Sequence, residues 1–320
     1  EGKMMKDFQE NIQLIENGVR LLDTISDVNE IYHYTTIAGL QGILKGKNFW
    51  VSHSYFLNDS SEIKYTYRLV VDVLKEIMDN EQDDKVIKMY NILKIAVEEV
   101  EIREVGAENI VARSGSYRPS EYILSFSLNK DSLSVWSAFT EGGGYNIGIN
   151  FHEYFRELQK QNFLIGPIPG KVIYNLEKQR EIISSKIDEY KKLYLKHMDN
   201  FDQEKEKVFV SNFTSSIRLY ANFFKNPKFY SDEEFRIVFY NYRNGGYIPP
   251  SYRVKGDVLI PYINSNKGGD STTFIPLKSI TIGPTNQSDI AKEGLAYFLS
   301  DLGYNVTNIE LLSSDIPLRY

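Results

Sequence analysis

The chain has 320 residues, 42% hydrophobic and 25% charged, the balance of an ordinary globular protein, and it suffices for one large domain or two modest ones at roughly 100–200 residues each. Its formal charge of -6 argues against a surface that binds nucleic acid throughout, where a basic footprint is expected, and leaves room for a local basic patch. The lack of cysteine excludes disulfides, thiolate metal sites and cysteine nucleophiles together.

Residues 1–5 read as a ragged start, with no signal-like apolar region. No run approaches the roughly 20 apolar residues that span a bilayer, so a cytoplasmic location is expected. Apolar recurrence at Phe8, Ile12, Leu14, Ile15, Val19 and Leu22 predicts a helix over 7–23. A strand at 30–35, a short helix capped by Thr36 and ending near Gly46, and a strand at 48–52 follow. These connections are too short for the parallel crossover of nucleotide-binding doubly wound sheets, and no glycine-rich phosphate loop follows a predicted strand. Helices at 62–78 and 84–102, the second with Ile87, Tyr90, Leu93, Ala96 and Val97 as its stripe, form a helical insertion over 59–110.

After a return at 105–120, the chain resumes with a strand from Tyr122 through Ser127. A short helix carries Val135, Trp136 and Phe139, capped by Asp131 or Ser132, and Gly142-Gly143-Gly144 turns into a strand at 145–151. A strand at 171–174 precedes helices at 176–198 and 202–225, a second helical insertion over 176–226 that Asn226-Pro227 stops. The remainder is strand-rich: 229–239, 252–262, 272–276 and 279–282, then a helix at 287–301 and a strand at 304–311. The whole is expected to be one α+β domain over 1–320, a mixed or antiparallel β core with two helical hairpin insertions.

Three strands carry the chemistry. Alternation puts Asp232, Glu234 and Arg236 on one face of the 229–239 strand, with Glu233, Phe235, Ile237 and Phe239 on the other. Charged side chains are seldom buried unless paired, so that side either meets water in a cleft or forms an internal ion-pair cluster. His33 shares a face with Thr35, and Ser125 with Ser127. If the three strands are neighbours, a histidine, two hydroxyls and one or two carboxylates converge. Each residue also has a plain structural use: a satisfied histidine, hydroxyls bonded to backbone, a salt-bridge cluster, and a core tryptophan at Trp136. The four histidines, at 33, 53, 152 and 197, lack zinc-site spacing, and the 23 tyrosines and 18 phenylalanines favour packed strands and stacking surfaces.

The series Tyr32-His33-Tyr34-Thr35-Thr36, Gly39-Leu40, Ile43-Leu44, Phe49-Trp50-Val51-Ser52 and Leu57-Asn58-Asp59 with Glu62 resembles the opening of the bacterial family known as domain of unknown function 2971. Later pieces resemble it too: Ser125-Phe126-Ser127, Val135-Trp136-Ser137-Ala138-Phe139, Gly148-Ile149, Phe224-Lys225-Asn226-Pro227, Glu234-Phe235-Arg236-Ile237 and Ile280-Thr281-Ile282-Gly283-Pro284, with Ser314, Pro317 and Arg319 in the tail. More distantly, the Tyr-His-Tyr-Thr strand, the Ser-x-Ser strand and Asp232-Glu233-Glu234 are similar, in the same order, to elements of ADP-ribosyltransferases. This chain mixes the histidine of one subclass with the Ser-x-Ser and acidic-x-Glu of another, and Asp stands where Glu or Gln is usual.

That second resemblance implies an NAD-dependent ADP-ribosyltransferase or NAD glycohydrolase, with NAD as substrate and a protein or nucleic acid as acceptor, and a place in antiphage or toxin-like defence. It implies that Glu234 stabilises the oxocarbenium-like transition state and that Asp232 orients or deprotonates the acceptor. His33 would position a ribose, and Thr35, Ser125 and Ser127 would supply neighbouring hydroxyls. Trp136, Phe126 or Tyr34 would cover the nicotinamide ring, and Arg236 would hold a phosphate or, preferably, tether Glu234. The rival is a non-enzymatic binding or interaction module on the same β core. A nuclease is disfavoured because no carboxylate set for two metals is clustered.

Overall fold

The computed structural model describes residues 25–57, 61–105, 121–140, 143–163, 166–197, 201–243, 246–266, 275–285 and 287–317. The helix expected at 7–23, most of the return at 105–120, and Asn58-Asp59 lie outside them, as does the side chain of Glu62. In chain order the elements are β1 (Glu30–Thr35), α1 (Ile37–Gly46), β2 (Trp50–His53), α2 (Ser61–Asp79), α3 (Asp84–Val105), β3 (Glu121–Ser127), α4 (Leu133–Thr140), β4 (Tyr145–Asn150), α5 (Phe151–Gln159) and β5 (Ile168–Lys171). They continue with α6 (Leu176–His197), α7 (Gln203–Ala221), β6 (Glu234–Tyr240), β7 (Tyr242–Arg243), β8 (Gly246–Tyr247), β9 (Ser251–Lys255), β10 (Val258–Asn264), β11 (Leu277–Ile282), α8 (Ser288–Asp301) and β12 (Glu310–Ser313).

The chain divides into two compact units. One comprises the described residues within 58–118 and 172–229. In it α2, α3, α6 and α7 pack on one another, so both helical excursions fold into the same unit. Gln179, fully buried in α6, donates from Nε2 to the carbonyls of Ile173 and Lys225, so its buried amide is hydrogen-bonded.

The other unit, within 24–57, 119–171 and 230–320, is a ten-stranded, mostly antiparallel sheet in the order β12-β11-β4-β1-β3-β2-β10-β9, with β6 joining β3 to β5. One edge of β3 is shared. It pairs with β1 at Tyr32–Ser127 and with β2 at Ser52–Ile123 and His53–Tyr122, so the sheet forks there. The other edge runs its full length beside β6.

One face of the sheet is apolar. Ile31, Val51, Phe126, Ile147, Ile149, Phe235 and Ile237 form a core with residues of α1, α5 and α8, among them Leu44, Phe151 and Leu299. α1 is placed by its cap as the sequence predicts: Thr36 Oγ1 accepts the Gly39 N–H at 3.2 Å. Gly39 lets α1 lie close to β1: a Cβ there would come within 2.0 Å of Thr35 Oγ1, which would have to move.

The strand expected at 171–174 lies earlier, as β5 (Ile168–Lys171), the one expected at 272–276 lies mostly outside the described residues, and three further segments differ from expectation. The strand expected from Phe229 is a 3₁₀ turn over Pro227–Asp232. Glu233 then takes a left-handed φ of 44°, and the strand begins at Glu234, so Asp232 does not alternate with Glu234 and Arg236. The strand expected over 252–262 is the β9–β10 hairpin, turned at Gly256, where φ is 56°. The strand expected over 304–311 is a 3₁₀ turn at Val306–Asn308 followed by β12. α5 is an addition, capped by Asn150 and buried through Phe151, Tyr154 and Leu158.

Candidate active site

The three chemistry-bearing strands are neighbours, β1 beside β3 and β3 beside β6. In an antiparallel pair, opposed residues share a face. Ser127 stands opposite Glu234, and Ser125 opposite Arg236. On the other side Tyr32 faces Ser127, while β4 sets Gly148 beside Tyr32 and Asn146 beside Tyr34. β11 adds Ser279 and Thr281 in the same two rows. The result is a polar sheet face running across five strands.

His33 is not on it. It pairs with Ile147 and belongs to the apolar side, its ring edge-on to Phe49 at 5.1 Å and Phe126 at 5.7 Å. Nδ1 lies 3.0 Å from the carbonyl of Ser125. A carbonyl only accepts, so Nδ1 carries the proton and takes up a group that β1 leaves unpaired where the fork opens. The expected convergence of His33 with Glu234 is therefore corrected: β3 and the sheet plane lie between them. Thr35, two residues on, shares the His33 side and stands against Gly39.

Burial pushes the His33 imidazole down to about 4 from 6.5. The folded group stays neutral over a range in which the unfolded one takes a proton, so its contribution to stability is present above pH 6.5 and is lost as pH falls toward 4. His33→Asn, whose amide can still donate to Ser125, is expected to flatten the fall in urea midpoint between pH 7 and pH 4.5 by up to about one proton. An unchanged pH dependence would contradict the placement of a neutral imidazole here.

On the polar face, Arg236 and Glu234 form a buried ion pair. Arg236 donates through Nε at 2.6 Å and Nη2 at 2.5 Å to Glu234 Oε2, with side chains only 2% and 9% exposed. This is the tether that the sequence analysis preferred for Arg236. Ser127 Oγ donates to the Asp232 carbonyl at 2.9 Å and accepts from the Asn129 N–H, so Asp232 is held through its backbone, in the turn before the strand. Asn129 Nδ2 in turn reaches Glu233 Oε1.

Tyr34 OH donates to the Asn129 carbonyl at 2.7 Å and accepts from the Ser132 N–H at 2.9 Å; burial pushes its phenol up to about 12. Trp136 packs edge-on against Tyr34 and donates from Nε1 to Asp131 Oδ1 at 2.7 Å. Trp136 and Phe126 are buried, Phe126 on the apolar side, so neither has open surface with which to cover a nicotinamide ring. That expectation is corrected as well: packing of α4 and of the core claims both rings.

An aromatic group with open surface on this face, beside Ser127 and Gly148, is Tyr32, which the sequence analysis did not take as a site residue. Its hydroxyl donates to Glu30 Oε2 at 2.7 Å, and its phenol is raised by burial and then by the Glu30 carboxylate. The ring lies across Gly148, where a Cβ would come within 3.1 Å of it. Ser125 is also partly exposed. Among the described residues no group of three or more His, Asp or Glu is arranged to hold a metal ion, and no helix is long and apolar enough to cross a membrane.

Fold and face together define an α+β protein with a polar, carboxylate-bearing sheet face. Residues 135–237 match the family described as Protein of unknown function (DUF2971). The match opens at Val135-Trp136 in α4 and closes at Arg236-Ile237 in β6, so the ion pair lies inside it and the His33 and Ser125 strands outside. No curated protein and no solved structure matches the chain, and the likeness to ADP-ribosyltransferases draws no support from these comparisons.

Proposed function

We propose that the chain cleaves the nicotinamide–ribose bond of NAD, as an ADP-ribosyltransferase or NAD glycohydrolase, with Glu234 as the catalytic carboxylate. The supporting observation is the register that sets Ser127 opposite Glu234 and Ser125 opposite Arg236, one strand from the partly exposed Tyr32. As the bond from the ribose anomeric carbon to nitrogen breaks, the electron pair leaves with nicotinamide and positive charge develops on the sugar. A carboxylate fixed beside the ribose hydroxyls before the reaction favours that state over the ground state. Arg236 fixes Glu234 in one orientation.

In this reading Tyr32 flanks the nicotinamide, Ser125 bonds a ribose or amide group, and Ser127 and Tyr34 hold the loops beside the site. His33 acts from beneath, by anchoring the Ser125 backbone. The acceptor oxygen or nitrogen forms the new bond to the anomeric carbon, and its proton passes to Asp232 or to water. The acceptor is a protein or nucleic acid in the transferase case and water in the glycohydrolase case; either outcome suits a toxin-like defence effector.

The second reading, a non-enzymatic interaction module, is favoured by the commitment of Ser127 and Tyr34 to backbone partners and of Asn129 to the Glu233 carboxylate. Incubation of the purified chain with NAD separates the two. Nicotinamide release is expected; none with water, protein or nucleic acid as acceptor would leave the module.

A further inference from the structure

The β2–β10–β9 arm, beyond the fork, continues the polar side of the sheet with residues that the proposed NAD chemistry does not use. Its register pairs Trp50 with Asn264, Ser52 with Tyr262, and Ile260 with Arg253, and then Val258 with Lys255. Trp50, Tyr262, Arg253 and Lys255 therefore lie on one face, the side opposite the core residues Val51 and Ile263. Trp50 is stacked on Tyr262, with centroids 4.7 Å apart and planes 27° apart, yet half of its surface is exposed. An indole buried on one side and open on the other is an unusual use of the largest apolar side chain. Arg253 is held over the sheet by a bond from Nη2 to Ser52 Oγ at 2.9 Å, and Lys255 is exposed.

The only acid within 251–264 is Asp257, in the hairpin turn. The charge of this hairpin is thus opposite in sign to that of the chain as a whole. From the Trp50–Asn264 pair to the Lys255–Val258 pair the face extends about 20 Å, at ~3.3 Å per residue along β10. That is longer than a single nucleotide fills. Rings at one end and cations at the other are the components of a single-stranded nucleic-acid platform, on which bases stack without sequence preference and basic side chains follow the phosphates.

We propose that this face binds a short single-stranded nucleic-acid segment, with a base on the open side of Trp50 and phosphates beside Arg253 and Lys255. Glu234 and Arg236, on the same side of the sheet, are not among the groups that make these contacts, so the two proposals fail separately: Glu234→Gln leaves this binding unchanged.

The chain has two tryptophans, and Trp136 is fully buried, so quenching by an added base reports Trp50. A deoxythymidylate oligomer of roughly a dozen nucleotides, at low salt, is expected to quench the emission of the full chain. Trp50→Leu, at an exposed position that leaves the thermal unfolding midpoint in place, is expected to weaken binding by about tenfold or more when read by anisotropy of a labelled oligomer. Lys255→Gln is expected to lower the salt slope of binding by about 0.7. Equal affinity of parent and Trp50→Leu, or no binding at low salt, would overturn the proposal. Quenching by adenosine monophosphate or NAD with the affinity of the oligomer would overturn it too, in favour of a free-nucleotide site.

Discussion

Arg236→Leu is expected to lower the stability of the chain by about 3–5 kcal/mol, read from urea unfolding, because it removes the arginine partner of a buried carboxylate. Both members of the pair are almost closed to solvent, and both Arg236 donors converge on one Glu234 oxygen. Desolvating two ions is unfavourable, so the intact pair contributes little net stability. Removing one partner leaves the whole penalty of the other in place. The double variant Arg236→Leu with Glu234→Leu is therefore expected to recover a large part of the loss, a coupling that independent sites do not show. An Arg236→Leu protein within about 1 kcal/mol of the parent would mean that water reaches Glu234, and the pair could not then serve as a rigid mount.

Glu234→Gln carries the largest expected effect on activity. Glutamine keeps the shape of the side chain and can still accept from Arg236 through Oε1, so its loss of stability is smaller than that of Arg236→Leu. What it removes is the negative charge beside the developing oxocarbenium ion. Loss of a comparable preorganised group typically lowers kcat by about 10²–10³. With Glu234 acting on the transition state and Tyr32 and Ser125 on binding, the fall is expected in kcat with KM changed little. His33→Asn, on the other side of the sheet, is expected to stay within about tenfold of the parent, the reach of small displacements passed through Ser125. Nicotinamide release by Glu234→Gln at the parental rate would remove Glu234 from the chemistry.

Much of the sheet is legible in the sequence because local signals act alone there. Thr36 caps α1, alternation marks β1, β3 and β6, and the adjacency of those strands is what the polar groups suggested. The faces were harder to assign. A single strand shows two faces but not which one meets the core, and putting the His33 and Thr35 side toward the cleft picks the wrong one. Tyrosine presents an apolar ring with a polar tip: the hydroxyls of Tyr32 and Tyr34 find Glu30, Asn129 and Ser132, whereas a neutral imidazole fits among Phe49 and Phe126.

Alternation extended back through Glu233 puts Asp232 on the strand, but the left-handed φ of Glu233 breaks the period. The Trp50–Tyr262 pair had no local signature at all. It exists only because β2 and β10, far apart in the chain, are neighbours in the sheet.

A structure of the chain with NAD bound tests the placement of the site most directly. It is predicted to show the nicotinamide ribose within hydrogen-bonding distance of Glu234, with the ring against Tyr32 and an amide or ribose group at Ser125. NAD seated on the His33 side of the sheet, or on the Trp50 arm with the Glu234–Arg236 pair out of reach, would contradict the assignment.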